Sequence, residues 1–355
     1  MPLMIFFIVT LISLSLTGLI VLLAQKKQWF LFRQDLDGVQ RFHINHTSRI
    51  GGIPVFVSFF AGLWFILGAS EWWLFLLLAS LPVFLGGLIE DMVACVSPYK
   101  RLLTTFLSII ITFFVLDIKI DNLGFDWIDQ ILFTYTIITL LFTMLAVAAV
   151  VNSLNIIDGF NGILGGYSIL VCLAISYVAY ILDDTLILQI NSIIIASILG
   201  FFVFNFPRGK IFMGDGGAYF IGFIMSIIGL MLVIRNEEIT HWFILLLFIY
   251  PLYEIVFSIY RRMIHNIDTT QPDAKHLHSL VYLKLISCDR FRHNKLNCNS
   301  AVSPFMWLLS LTGIIPAVVW FDNQTALIVW AFVFMLMYTI IYKYLSSDYK
   351  GVSVN

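Results

Sequence analysis

Residues 212–235 read FMGDGGAYFIGFIMSIIGLMLVIR, with Asp215 set among glycines ahead of eighteen uncharged residues, Gly217 to Ile234. Eighteen helical residues rise about 27 Å, close to the roughly 30 Å of bilayer hydrocarbon. Only a helix or a closed barrel can cross that layer, because nothing in it accepts backbone hydrogen bonds. The stretch reads as a membrane helix with an acid at its mouth. Similar runs recur at 3–24, 53–70, 73–89, 102–117, 131–151, 162–182, 185–204, 217–234, 242–260, 303–321 and 325–343. The pattern predicts an all-α polytopic membrane protein with about eleven transmembrane helices.

Composition agrees. The 355 residues are 60% apolar and 12% charged, with a mean hydropathy of +0.96. An average soluble domain carries about 25% charged residues. A soluble enzyme, a disordered chain and a disulfide scaffold are excluded. The net charge of -1 says nothing of partners, and no basic tract suits nucleic acid. Cys95, Cys172, Cys288 and Cys298 lack metal-ligand spacing and read as core residues or free thiols. Lys26 and Lys27 follow the first apolar run instead of preceding it, so that run reads as a membrane helix and not a cleaved signal.

Charge also sets direction. Of the 20 Lys and Arg, 18 fall in the connections 26–52, 90–101, 205–216 and 261–302 and in the tail, against Lys119 and Arg235 in the others. The positive-inside rule puts the first set in the cytoplasm, the N-terminus in the periplasm and the C-terminus inside. Four polar patches share that cytoplasmic face: Glu90-Asp91, NSLNIIDGFN (152–161), NFPRGKIFMGDGG (205–217) and PDAKHLHS (272–279). Carboxylates beside hydrocarbon need a partner, a cation or water. Several converging from different helices would suit Mg²⁺ or Mn²⁺, which take oxygen ligands and substrate phosphates.

Each patch also has a plainer reading. Glu90 and Asp91 point about 100° apart on a helix, so one of them faces a site, or both are a solvated helix end. Asn152, Asn155 and Asp158 share one helix face, as a ligand row or a packing stripe. Asp215 among glycines suits a cation and phosphate at a helix N-terminus, or a simple N-cap. Lys275, His276 and His278 fit a phosphate loop or a solvated one. His43, His46 and Arg49 in RFHINHTSRIGG (41–52) are phosphate contacts or a basic flank. Glu254, inside a span, is expected to pair with Arg261 and Arg262 or with another helix.

Taken together, RIGGIPVF (49–56), EDM (90–92), NSLNIIDGFNG (152–162), FNFPRGKIFMGDGG (204–217) and DAKHLHSL (273–280) resemble the polyprenyl-phosphate N-acetylhexosamine-1-phosphate transferases of glycosyltransferase family 4. The likeness is to the branch that starts O-antigen and teichoic-acid synthesis. It implies one transmembrane catalytic domain over 1–344, with 345–355 as a short cytoplasmic tail. It implies transfer of a sugar-1-phosphate from a UDP-N-acetyl-sugar to undecaprenyl phosphate, with Mg²⁺ (or Mn²⁺) as cofactor and UMP as product. It makes Asp215 the principal metal ligand with Asp158 beside it, sets Asp91 near the lipid phosphate to activate it, and counts Glu90, Asp91, Asp158 and Asp215 as the catalytic residues. Asn155 would line the nucleotide site and Phe212 would pack on uracil. Lys275, His276 and His278 would hold the diphosphate, with Arg49 and Asn161 as further substrate contacts. Three positions depart from the family pattern: Glu90 replaces an Asp, Asn161 the second Asp of DGxDG, and Ser279 the last His of HLHH.

The lipid phosphate is already largely anionic at neutral pH, with a second pKa of about 6 by analogy with phosphoserine. Direct attack is therefore preferred to a covalent intermediate on Asp91. A transporter or lipid-carrier flippase is the rival, but such sites lie near the midplane and often show repeats, which are absent here. A CDP-alcohol transferase lacks its DG-x2-AR pattern. The oligomeric state, a homodimer included, is left open, as is the donor sugar. The lipid bilayer and the two substrates are the expected partners, in a bacterial inner membrane.

Overall fold

Every side chain from Gly214 to Val233 is buried, so the stretch that reads as a membrane helix is also the axis of the molecule. A helix apolar on all faces has no preferred side to show to water and is stable only when surrounded. The computed structural model describes residues 2–27, 47–68, 70–93, 96–266, 275–287 and 295–347. Among these there are fourteen helices and no strand. They are α1 (Pro2–Lys27), α2 (Gly52–Leu67), α3 (Trp72–Val93), α4 (Pro98–Val115), α5 (Asp126–Thr134), α6 (Thr136–Ile157) and α7 (Ile163–Ile181). The chain continues through α8 (Thr185–Asn205), α9 (Gly214–Arg235), α10 (His241–Leu247), α11 (Ile249–Ile264), α12 (Leu277–Ser287), α13 (Lys295–Val319) and α14 (Gln324–Ser347).

The protein is a polytopic membrane protein. Nine of the described helices are long and apolar enough to cross a bilayer, and the bent pair α10–α11 makes a tenth. Helix α9 packs on α2, α3 and α6, while α1 and α7 flank α8, and α13 covers α7 and α12. Leu3, Phe7 and Leu11 on α1, and Phe332, Leu336 and Ile340 on α14, stay exposed along one helical stripe each. In a bilayer such stripes face lipid.

Three predicted spans differ in form. The one expected over 131–151 begins inside α5 and is interrupted at Tyr135, the apolar helix long enough to cross being α6. The segment expected over 53–70 ends at Leu67, where Gly68 turns the chain with φ +55°. Its 16 residues reach about 24 Å, short of the full hydrocarbon thickness. The segment expected over 242–260 is two helices bent by 71°. The cause is local. Pro251 has no N–H, so the Leu247 carbonyl loses its helical donor. The buried Tyr167 hydroxyl on α7 donates to that carbonyl instead, at 2.8 Å. Beside Pro82, inside α3, the Val83 N–H donates to Ser108 Oγ of α4 at 2.9 Å.

At the end of the bundle away from the four patches, Asp184 caps α8 through the Ile187 N–H and takes Arg235 Nε at 2.7 Å. Burial acts to raise its carboxyl, but hydrogen bonds from Arg235, Ile187 and Asn236 leave it below the usual range. This clamp closes the far ends of α8 and α9.

Tyr167→Phe keeps the ring and removes the donor, leaving a buried carbonyl unsatisfied. It is expected to cost about 1–3 kcal/mol, read as a lowered midpoint of thermal unfolding in detergent. An unchanged midpoint would show that the bend does not depend on this bond.

Candidate active site

The last turn of α3 carries Glu90 and Asp91, and the two side chains go separate ways. Asp91 Oδ1 accepts the Asp215 N–H and Oδ2 the Gly216 N–H, both at 2.9 Å. The first N–H groups of any helix have no partner within it. Here a carboxylate from a neighbouring helix supplies one, and it also meets the positive end of the α9 dipole. Glu90 turns away, its Oε2 accepting the Val96 N–H at 2.6 Å.

This cap requires two backbones to touch. A Cβ on Gly87 would lie 2.5 Å from Gly216 N, and one on Gly216 would lie 2.8 Å from Leu88 N. Gly214 adopts φ +76°, a left-handed conformation that glycine takes without strain. The glycines around Asp215 are thus explained first by helix packing.

The segment leading into α9 is held by another. Phe212 N–H donates to Ser48 O, Gly51 N–H to Phe212 O and Gly52 N–H to Met213 O, each at 2.9 Å. Pairing with residues 48–52 brings Arg49 over the acids, 3.6 Å from Asp215 Oδ1 and 3.9 Å from Asp91 Oδ1. On the other side Arg101, in the first turn of α4, forms an ion pair with Asp215 Oδ2. Asp215 therefore lies between two guanidinium groups, and its side chain is only 13% exposed.

Helix α6 delivers Asp158 at its C-terminal cap. Desolvation by the surrounding protein pushes this carboxyl up to about 7. Arg49 pulls it down and the negative charge of Asp215 pushes it further up. The two aspartates thus feel each other across the site. Of the other residues expected on this face, Asn152 bonds back to Ala148 O at 2.7 Å, and Asn155 lies partly exposed in the last turn.

Asn161 is 1% exposed. Its N–H donates to Asn299 Oδ1 at 3.0 Å, its Nδ2 to Pro207 O at 3.2 Å, and its carbonyl accepts from Ser303 Oγ. The position expected to touch substrate is used here to join three segments of the fold. Asn205 does similar work unforeseen in the sequence: Nδ2 donates to Ile211 O at 2.9 Å and Oδ1 accepts the Gly162 N–H at 2.8 Å.

The histidines stand beside the Asp158 turn. The His276 and His278 rings stack with centroids 5.4 Å apart, and a Cβ on Gly159 would lie 3.0 Å from His278 Nε2. Glu254 holds this segment. Of the two pairings expected for Glu254, the one with Arg261 and Arg262 is not found among the described residues and the one with another helix is: Glu254 binds His276 Nδ1 at 3.0 Å, the Leu277 N–H at 3.1 Å and the Tyr338 hydroxyl at 2.7 Å. The arginines lie two turns further along the same helix, and the nearer donors come from other segments. Lys275 is exposed, its carbonyl accepting from Tyr342 OH at 3.0 Å. His43, His46, Cys95 and Cys288 lie outside the described residues.

Among the described residues, Asp91, Asp215, Arg49 and Arg101 form one charged knot, with Asp158 within its field and the two histidines behind Asp158. Arg101 had no place in the sequence reading, since only its separation from Asp91 by one helical hairpin brings it back over the acids. No three His, Cys, Asp or Glu side chains gather as a metal cage among these residues.

Residues 73–233 match the model of the family described as glycosyl transferase family 4. The chain is 25% identical over 256 residues to the probable undecaprenyl-phosphate N-acetylglucosaminyl 1-phosphate transferase of Bacillus subtilis (strain 168), covering 69% of this chain and 68% of that protein. It is 28% identical over 289 residues to the undecaprenyl-phosphate alpha-N-acetylglucosaminyl 1-phosphate transferase of Salmonella typhi, covering 76% and 75%. The Thermotoga maritima protein of that same name is 26% identical over 274 residues, covering 77% and 80%. The matched region contains Asp91, Asp158 and Asp215 and ends before the histidines.

Gly87→Ala places a methyl group against the backbone of α9, so the Asp91 cap must open. A loss of thermal stability of about 1–3 kcal/mol is expected, together with loss of the site's activity. Gly68→Ala is the control for a glycine with nothing within 4 Å, though its φ of +55° strains any side chain. Only Gly87→Ala should abolish activity; equal activity in the two variants would refute the close-approach argument.

Proposed function

We propose that the chain, whose residues 73–233 match the model of glycosyl transferase family 4, transfers an N-acetyl-sugar-1-phosphate from a UDP-N-acetylhexosamine to undecaprenyl phosphate. An oxygen of the lipid phosphate bonds to the sugar-bearing phosphorus of the donor. The bond between that phosphorus and the bridging oxygen breaks, and its electron pair leaves with UMP. The products are undecaprenyl-diphosphate sugar and UMP. This would initiate O-antigen or a related cell-envelope polysaccharide.

The observation that carries the reading is the knot of Asp91, Asp215, Arg49 and Arg101, with Asp158 in its field, at one end of the helical bundle. Phosphoryl transfer needs positioning and charge neutralisation more than covalent help. The arginines offer phosphate-binding forks. Helix termini from α3, α4, α6 and α9 converge where a lipid phosphate can arrive sideways and a nucleotide from water. A transporter site would instead lie near the midplane.

The residues present fit a hard divalent cation. Asp215 and Asp158 act on each other as like charges, which a cation between carboxylates relieves. Mg²⁺ is usually held by one or two carboxylates plus substrate phosphates, so no all-protein cage is required. Asp215 and Asp158 would hold Mg²⁺, or Mn²⁺, which when bound neutralises charge on the diphosphate. Both oxygens of Asp91 are engaged by backbone N–H groups, which weakens it as a nucleophile and supports direct attack. Asp91 would then act near the lipid phosphate by placing α9 and its arginines, with Glu90 bracing the turn into α4. Arg49, Lys275, His276 and His278 would bind phosphate oxygens, Phe212 would stack on uracil, and Asn155 would line the nucleotide side. The Lys and Arg concentrated in the connections at this end support a cytoplasmic orientation for it, in a bacterial inner membrane.

Purified protein in detergent, given undecaprenyl phosphate, Mg²⁺ and each UDP-N-acetyl-sugar in turn, is expected to release UMP with one donor. Asp215→Asn should lower the rate at least about 100-fold. Folded protein that releases no UMP with any donor would sink the proposal.

Cation binding should depend on pH through Asp158. The neutral carboxyl binds no metal, so a group with its midpoint at about 7 opposes binding below that pH and permits it above. Mn²⁺ affinity, read by electron paramagnetic resonance, is expected to rise between pH 6 and 8. A flat profile would remove Asp158 from the ligand set.

A further inference from the structure

Glu254 lies on α11 and is 1% exposed, among apolar neighbours. A carboxylate in such a place must be fully hydrogen-bonded. Its Oε1 takes His276 Nδ1 at 3.0 Å and the Leu277 N–H at 3.1 Å, and its Oε2 takes the Tyr338 hydroxyl at 2.7 Å. The second of these is the first N–H of α12, so Glu254 caps that helix from outside. Tyr342, one turn after Tyr338 on α14, donates to Lys275 O at 3.0 Å. Residues 275–277 are therefore held from two helices.

We propose that Glu254 is a positioning residue for the reaction: it fixes the Nδ1 proton and the aim of His276, and through the stacked His278 seats the histidine segment against the Asp158 turn. The proposal rests on reading His276 as a phosphate contact. A carboxylate can only accept, so Nδ1 must donate to it, which leaves Nε2 as the atom turned away from Glu254. Among the described residues, His276 meets Glu254 from α11 and His278 from α12, and Tyr338 of α14 reaches it through Glu254. The His278 ring then meets Gly159, where no larger residue fits without displacing it. Partners that orient an active group in this way are commonly worth about 10- to 100-fold in function.

The test begins with the whole protein in detergent, labelled with ¹⁵N in the histidine rings, with His276→Gln used to assign the signals. Wild-type His276 is expected to carry a proton on Nδ1. An unprotonated Nδ1 overturns the proposal without any need for a variant. Glu254→Gln keeps an acceptor oxygen and should keep that proton in place, along with most UMP release. Glu254→Ala should release the Nδ1 proton and lower kcat/KM about 10- to 100-fold. In a His276→Ala background the same change should cost less than about 3-fold, because the two act as one unit. An equal loss in both backgrounds would make Glu254 a structural cap only and overturn its role. If wild-type protein keeps the Nδ1 proton yet releases no UMP, the transferase reading is what fails.

Discussion

The two hydrogen bonds from the start of α9 to Asp91 set the terms for the rest of the molecule. A helix buried on every side cannot leave its first N–H groups unpaired, and little water reaches them inside a bundle. A carboxylate from α3 meets that need, but only where α3 and α9 touch at Gly87 and Gly216. The contact brings a second aspartate, Asp215, into the same small volume. Two acids so close require cations, and Arg49 and Arg101 come from two further segments to provide them. The capping of one helix thus gathers four charged side chains in one place. Chemistry can then use an arrangement that packing already demands.

Hydropathy makes the helices legible because bilayer thickness imposes a length and the absence of water imposes a composition. The same signal is blind to where a helix bends. The break at Phe248 comes from Pro251 together with a hydroxyl on α7, some eighty residues earlier in the chain, and no local pattern reveals that partner. Likewise the 53–70 run looks like a full span in composition, yet Gly68 closes the helix at Leu67.

The acids of the site are legible for a related reason. Asp91, Asp158 and Asp215 are conspicuous beside hydrocarbon, where a charge needs a purpose. Their partners are not, since Arg101 resembles any basic residue flanking a span. Glu254 is conspicuous too; its position allows arginines two turns along its own helix or a partner on another helix, and the fold takes the second. Asn161 has a role its motif does not show: its bonds to Asn299, Pro207 and Ser303 hold three segments together. A sequence marks which residues are costly to bury; only the fold says which neighbour compensates each one.

The tyrosines of α14 bear on the order in which the protein is made. Chains emerge from the ribosome N-terminus first, and early segments fold before late ones exist. The acids and arginines of the central knot all precede residue 216. The histidine segment, by contrast, is braced by Tyr338 and Tyr342 of α14, which emerges only after the segment it braces. A nascent chain therefore assembles its charged centre well before it can lock the histidines behind Asp158. Helix α14 is the keystone of biogenesis for this segment, and until that helix is threaded into the membrane the histidines lack their brace.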